Sequence, residues 1–194
     1  MRHNLSEITT IIKDRRTIYP EFFSDRKVHK EQIEVLLNNA IWAPSHGLTQ
    51  PWRFTVMMDG ALTRLSDYLS DSYKQISGEA VNEMKFSRLQ ERPLRSSAVI
   101  AIGMSPDPKG KIPEMEEIEA VACAVQNMHL TATAQGLAFF WSTPKFLYDR
   151  GHTEFFGFEK ETKILGLIYL GYPKGEWPKG QRKPIEYIST WKHD

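Results

Sequence analysis

The sequence predicts an α+β fold of three layers, a sheet held between helices. Three observations carry this. Four short runs, PWRFTVMM (51–58), SAVIAIGM (97–104), LAFFW (137–141) and KILGLIYLG (163–171), are apolar enough for strands. Segments of helical periodicity, rather than tight hairpin turns, separate them. The 194 residues show no internal repeat and no linker, so one domain over 1–194 is expected.

The elements follow in order. A first helix runs from Leu5 to Asp14, capped by Asn4 with Glu7 three residues on, and Leu5, Ile8, Ile11 and Ile12 line one face. In KEQIEVLLNNAIW, Ile33, Leu36, Leu37, Ala40 and Ile41 recur at helical spacing, and Pro44 stops the helix. The strand 51–58 ends at an Asp59-Gly60 turn. Leu62, Leu65, Leu69, Tyr73 and Ile76 fit a helix that Gly78 ends, and Met84, Phe86 and Leu89 fit a shorter one. Residues 61–92 are thus expected to form an insertion or lid over a site. SAVIAIGM reads as a central strand because it has no polar face. Glu114, Glu116, Glu117 and Glu119 open a long helix to Gln135, where acids suit the positive end of the dipole. Its remaining faces carry Ala and Thr, which predicts burial nearly all round, with Cys123 as a small core residue. Gly136 closes it. Residues 146–156 read as a short helix, 172–184 as an extended proline-punctuated tail, and IEYIST (185–190) as a closing strand.

Composition excludes several functions. A single cysteine leaves no internal disulfide, CxxC pair or cysteine-based zinc site. His3, His29, His46, His129, His152 and His193 are scattered without metal-ligand spacing, and His129 on an apolar helix face reads as a core histidine. GxSxG, GxGxxG and GxxxxGK[ST] are all missing. A net charge of +1 argues against general nucleic-acid binding. The longest stretch free of charges, Ala120 to Pro144, holds Gln126, Asn127, His129 and Gln135, which argues against a membrane span. The N-terminal residues lack the apolar core of a signal peptide, so a cytoplasmic location is expected.

The charge distribution says more than its sum. Residues 1–30 carry seven Lys/Arg and four acids, and residues 174–183 carry four Lys/Arg and one acid, so each end has an excess of +3. Arg15-Arg16 after the first helix either compensate its dipole or bind an anion; Arg182-Lys183 in the tail are either a solvated surface or the other half of that anion site. Two further segments suit a flat polar ligand. WAPSHGLTQPW (42–52) puts two Trp, Ser45, His46, Thr49 and Gln50 into one helix–strand joint, and FFWSTP (139–144) ends a strand in an aromatic and small hydroxyls.

Together these segments resemble the nitroreductase family of flavin enzymes. RRT at 15–17, APSHGLTQPW at 43–52, GLAFFWSTP at 136–144 and GLIYLGYP at 166–173 with a basic tail stand in the family's order and span nearly the whole chain. The likeness is greatest to its short, single-domain bacterial subgroup. The resemblance implies a mostly antiparallel sheet and a homodimer with two FMN sites at the interface. The strand at 185–190 would join the partner's sheet, within a tail, 172–194, that reaches the other subunit. It implies that Arg15, Arg16 and Thr17 contact phosphate and ribityl, and that Arg182 also binds phosphate. Trp141, Ser142 and Thr143 would present backbone to the isoalloxazine, and His46 would reach the FMN of the other subunit. Trp42 stands where relatives have an arginine touching that FMN, and Leu48-Thr49 replace an asparagine that many relatives place before QPW. The implied reaction passes hydride from NADH or NADPH to FMN and then to a nitroaromatic, quinone or similar acceptor, with no catalytic side chain assigned and no metal. Dehalogenating or flavin-fragmenting chemistry on the same fold, and a non-catalytic flavin-binding dimer, are the alternatives.

Overall fold

A computed structural model describes residues 3–193, Arg150 by its backbone alone. Its centre is a four-stranded sheet of order β1-β2-β4-β3, every pair antiparallel, with β1 Trp52–Met58, β2 Ala98–Met104, β3 Ala138–Ser142 and β4 Lys163–Gly171. β2 and β4 are the inner strands, and β2 is buried at every position, as its lack of a polar face requires. β3 lies at an edge, which leaves one side of its backbone for another segment.

Helices cover both faces. α2 (Lys30–Ala40) and α5 (Glu114–Ala134) pack on one, burying Ile33, Leu36, Val121, Val125 and Met128 against Ile100, Ile102, Phe139 and Ile168. α3 (Gly60–Ser77) and α4 (Glu83–Arg95) cover the other, where Leu65, Leu69 and Leu89 meet Val99, Phe140, Leu167 and Tyr169. α3 is therefore a full layer of the core. α1 (Leu5–Asp14) lies outside α5; Asn4 Oδ1 caps it by accepting from the Ser6 and Glu7 amides. None of its residues is buried, although its apolar residues fall on one side.

Three expectations are corrected. Residues 145–156 form three successive 3-10 turns (Lys145–Tyr148, Arg150–His152, Glu154–Phe156) rather than one helix. Gly151 and Gly157 punctuate the segment too closely for helix nucleation to be offset by propagation. The expected strand at 185–190 is a 3-10 turn, Ile185–Tyr187, in which the Tyr187 amide donates to Pro184 O at 3.2 Å and the Ile188 amide to Ile185 O at 3.0 Å. A strand needs a ladder partner, and without one here the backbone bonds locally. The long helix is not buried all round. Cys123 and Gln126 on its outer side are exposed, so Cys123 is not a core residue of this chain. The Ala and Thr content made that side look like core, but its small residues face outward.

Candidate functional site

Three segments distant in sequence meet at the β3 edge. The Ile18 amide donates to Phe139 O at 3.2 Å, which ties residues 15–19 to the strand. The tail folds back over the same place: Trp177 Nε1 donates to Asp14 O at 2.7 Å, and Gly180 lies flat against the Arg16 guanidinium, where a β-carbon would overlap it. Arg182 comes close enough to Arg15 for the two charges to repel. Burial first, then Arg182 and Arg16, lower the Arg15 pKa. Arg15 and Arg16, from one end of the chain, and Arg182, from the other, thus form one cationic cluster.

That cluster has unspent hydrogen-bonding capacity. Arg16 Nη1 donates to Lys13 O at 2.6 Å and Arg15 O at 2.7 Å, but its Nε is buried without a partner. Among the described residues none of the three arginines pairs with a carboxylate. A phosphate monoester fits what is missing: it brings negative charge to three guanidinium groups and accepts in-plane N–H donors.

His129, on α5, holds this arrangement from below. Its Nε2 donates to Arg16 O at 2.8 Å, its Nδ1 faces Arg15 Nη1 at 3.5 Å, and its ring stacks on Phe139 with centroids 4.1 Å apart. Burial, opposed by the Arg16 carbonyl and reinforced by the Arg15 charge, lowers its pKa from 6.5 to about 4. The imidazole is therefore neutral at pH 7, with Nδ1 free to accept from Arg15. A histidine depressed in the folded state takes up its proton first in the unfolded chain. Its contribution is complete above pH 6.5 and is lost as pH falls from 6.5 toward 4, by about 3 kcal/mol across that window. The urea midpoint of His129→Gln should accordingly fall less between pH 7 and pH 4.5 than that of the wild type. Parallel pH profiles would remove His129 as the acid-sensitive group.

Beside the cluster, the end of β3 forms the wall of a cavity of about 640 Å³ whose other side is α4. Trp141, Ser142 and Thr143 line it, with Tyr19 and Phe140, whose rings are 4.7 Å apart. The Trp141 ring is turned away from the flat slot, its Nε1 donating to Leu165 O at 3.1 Å, so backbone rather than indole is presented there. Thr17 is exposed between the arginines and Tyr19.

Trp42 and His46 lie elsewhere. Trp42 is 83% exposed in the turn after α2. His46 Nδ1 pairs with Glu116 Oε2 at 2.6 Å, on the first turn of α5. His129 stands thirteen residues further along the same helix, and at 1.5 Å per residue that puts about 20 Å between His46 and the arginine cluster. Within one chain the two groups cannot share a ligand of flavin size.

His129 is the buried, hydrogen-bonded core histidine expected, and only its hold on the Arg16 carbonyl was not foreseen; the residues missed in sequence are Tyr19 and, on α4, Lys85, Arg88 and Arg92, all lining the cavity. Lys85, Arg88 and Arg92 carried a signal: positions i, i+3 and i+7 lie on one helix face. The reach of His129 carried none, because its apolar neighbours described a core position and the carbonyl is 113 residues away.

Comparison with known proteins agrees with the fold. A model of the nitroreductase family matches residues 12–172. The NAD(P)H nitroreductase candidate YfhC of Bacillus subtilis is 26% identical over 185 residues, covering 94% of this chain and 93% of its own. The crystal structure of a nitroreductase-like protein from Bacillus cereus superposes with a TM-score of 0.83 at 27% identity, over 100% of both chains. That of the FMN-dependent nitroreductase NfnB from Mycobacterium smegmatis, in complex with NADPH, superposes with a TM-score of 0.77 at 18% identity, over 97% of this chain and 99% of that one.

Proposed function

The chain belongs to the nitroreductase family, and we propose that this FMN-dependent oxidoreductase takes electrons from NADH or NADPH and delivers them to a nitroaromatic, quinone or similar acceptor. The observation that carries the reading is the meeting of Arg15, Arg16 and Arg182 from opposite ends of the chain. Arg16 Nε is left without a partner among the described residues, and the chain runs from the cluster through Thr17 and Ile18 to Tyr19, at the wall of a cavity of aromatic rings and strand backbone. Bound FMN would supply two-electron hydride chemistry.

The protein's part is binding and orientation. Arg15, Arg16 and Arg182 hold the phosphate, and Thr17 supplies a hydroxyl beside it. Backbone groups of Trp141, Ser142 and Thr143 face the ring system, and Tyr19 and Phe140 exclude water from its edge. Of the expected lid, residues 61–92, α3 belongs to the core, and it is α4 with Asn82 before it that closes the cavity from the other side.

The working unit in this reading is a homodimer. Leu5, Ile8 and Ile12 on α1, Trp42 and Leu48 in the loop after α2, and Ile185, Tyr187, Ile188 and Trp191 in the tail are large apolar side chains exposed in one chain. A second copy covers them, gives residues 185–190 a ladder partner, and places Trp42 and His46 near the other subunit's flavin. The proposed location is the cytoplasm; no described helix is long and apolar enough to cross a membrane.

The test is direct. Purified protein given FMN should become yellow, elute as a dimer of 22.4 kDa subunits, and bleach anaerobically with NADPH or NADH. Failure to take up FMN overturns the reading. Flavin that binds but is bleached by neither donor points to a flavin carrier. Bleaching without turnover of nitroaromatics or quinones points to dehalogenating or flavin-fragmenting chemistry.

A further inference from the structure

α4 carries a basic stripe that the phosphate cluster does not use. Lys85, Arg88 and Arg92 all border the cavity, and among the described residues no Asp or Glu does, although Glu21, Glu83 and Glu91 border the adjoining hollow on the far side of Arg88 and Arg92. Their charges are not equally available. Arg92 is answered by Glu21, Nη2 to Oε1 at 2.9 Å, and its guanidinium lies 4.8 Å from the Phe140 ring centroid. It is a fixed part of the wall. Lys85 Nζ rests 4.4 Å from the Tyr73 centroid and makes no ion pair among the described residues. Arg88 is exposed and forms no ion pair among the described residues. The neighbouring acid Glu91 is engaged by Ser87 Oγ at 2.6 Å and Arg95 Nη2 at 2.7 Å. The cavity therefore has two unanswered cations on its α4 side.

Its opposite side is aromatic and neutral. Tyr19 and Phe140 pack at 4.7 Å, and Tyr169 is buried beside Phe140 with ring centroids 5.8 Å apart. Burial pushes the Tyr169 phenol up, so no phenolate competes for the cations. A ligand matching both sides has a flat ring at one end and a negative group at the other.

We infer that the electron acceptor bound in this cavity is an anionic aromatic, a ring bearing a carboxylate, which Lys85 and Arg88 recognise. The inference rests on the proposed flavin reading and narrows its acceptor. The acceptor's ring lies over the flavin, between it and α4, and its carboxylate accepts from the Arg88 guanidinium and the Lys85 ammonium on that side. For a nitro acceptor the balance is ArNO2 + NAD(P)H + H+ → ArNO + NAD(P)+ + H2O. The carboxylate is a handle and does not react.

The test compares 4-nitrobenzoate with 4-nitrobenzyl alcohol, which has the same ring and similar electronics but no charge. At saturating donor, kcat/KM for the anion should exceed that for the alcohol about tenfold or more at low salt. The ratio should fall toward one in K85Q/R88Q. Benzoate, which has no nitro group to reduce, gives a second readout: its calorimetric Kd for the FMN-loaded protein should be several-fold lower than that of benzyl alcohol, and the variant should lose the difference. Equal kcat/KM for the two nitro compounds together with equal Kd values would overturn the inference and leave the flavin reading standing. Absence of turnover with either compound counts against the flavin reading, while benzoate binding still decides the role of Lys85 and Arg88.

Discussion

Replacing both Arg15 and Arg16 with alanine is expected to weaken FMN binding by about two to four orders of magnitude. A charge-assisted hydrogen bond contributes about 1.5–3 kcal/mol, and each arginine supplies at least one. The pair is also the part of the cationic cluster that is held in place. Arg16 is fixed by two carbonyls through Nη1, and Arg15 is braced by the His129 ring. Arg182 sits on the extended tail, where its guanidinium, among the described residues, bonds to the adjacent Gln181 carbonyl at 2.8 Å and to nothing distant in the chain, so it cannot substitute for them. Folding should change little. Among the described residues neither arginine forms an ion pair, and removing two repelling cations offsets part of the lost backbone bonds. Fluorescence titration of apoprotein with FMN gives the affinity, and a thermal melt of the apoprotein separates binding from folding. An unchanged Kd with a lowered melting temperature would make these arginines helix-end charges and no more.

The size of that effect follows from a feature readable in the sequence only as an alternative. Arg15-Arg16 and Arg182-Lys183 each had an ordinary surface explanation. What decides between the explanations is whether the ends of the chain meet, and that depends on contacts of long sequence separation. The Trp177–Asp14 bond spans 163 residues, and no local pattern encodes it. Elements set by local periodicity were legible: α1, α2, α3, α5 and all four strands fall where residue spacing puts them, to within a residue or two at most ends. The misreadings share a physical cause. Residues 185–190 have strand composition, but a strand also requires an edge to bind, and in one chain the segment turns on itself. Cys123 and its small neighbours look like core because small uncharged residues compose an interior and, in the proposed dimer, a surface that a second chain covers alike. The resemblance supplied Trp42 and His46, whereas the geometry of one chain separates them from the arginines by the length of α5. Only the dimer in the proposed reading brings them to one ligand.

Gly166→Ala is expected to be the most damaging small substitution in the chain. β4 pairs Gly166 with Ile102 and then Ile164 with Gly103, so Leu165 is an extra, bulged residue. At the bulge the Leu165 carbonyl accepts from the Trp141 indole at 3.1 Å. Gly166 makes the bend with φ +128, a region that side-chain-bearing residues rarely enter. A β-carbon there would fall 2.8 Å from Trp141 Nε1 and nearer still to the Ser142 carbonyl. Backbone strain of about 1–3 kcal/mol, loss of the indole bond at about 1 kcal/mol, and displacement of the end of β3 combine to a destabilisation of about 3–5 kcal/mol. At 2–4 °C per kcal/mol for a chain of this size, the melting temperature should drop by roughly 10 °C. Gly110→Ala is the proper comparison, since Gly110 also has positive φ (+60) but nothing within 4 Å of the added carbon, and it should cost only about 1 kcal/mol. The displaced atoms belong to Trp141 and Ser142, residues that line the cavity and face the ring system in the proposed reading. Gly166→Ala should therefore also weaken FMN binding at temperatures where it is still fully folded, and Gly110→Ala should not. If the two variants melt together, the bulge is not under the constraint its geometry implies. If Gly166→Ala melts early but binds FMN normally, the end of β3 is structural and the ring is held elsewhere.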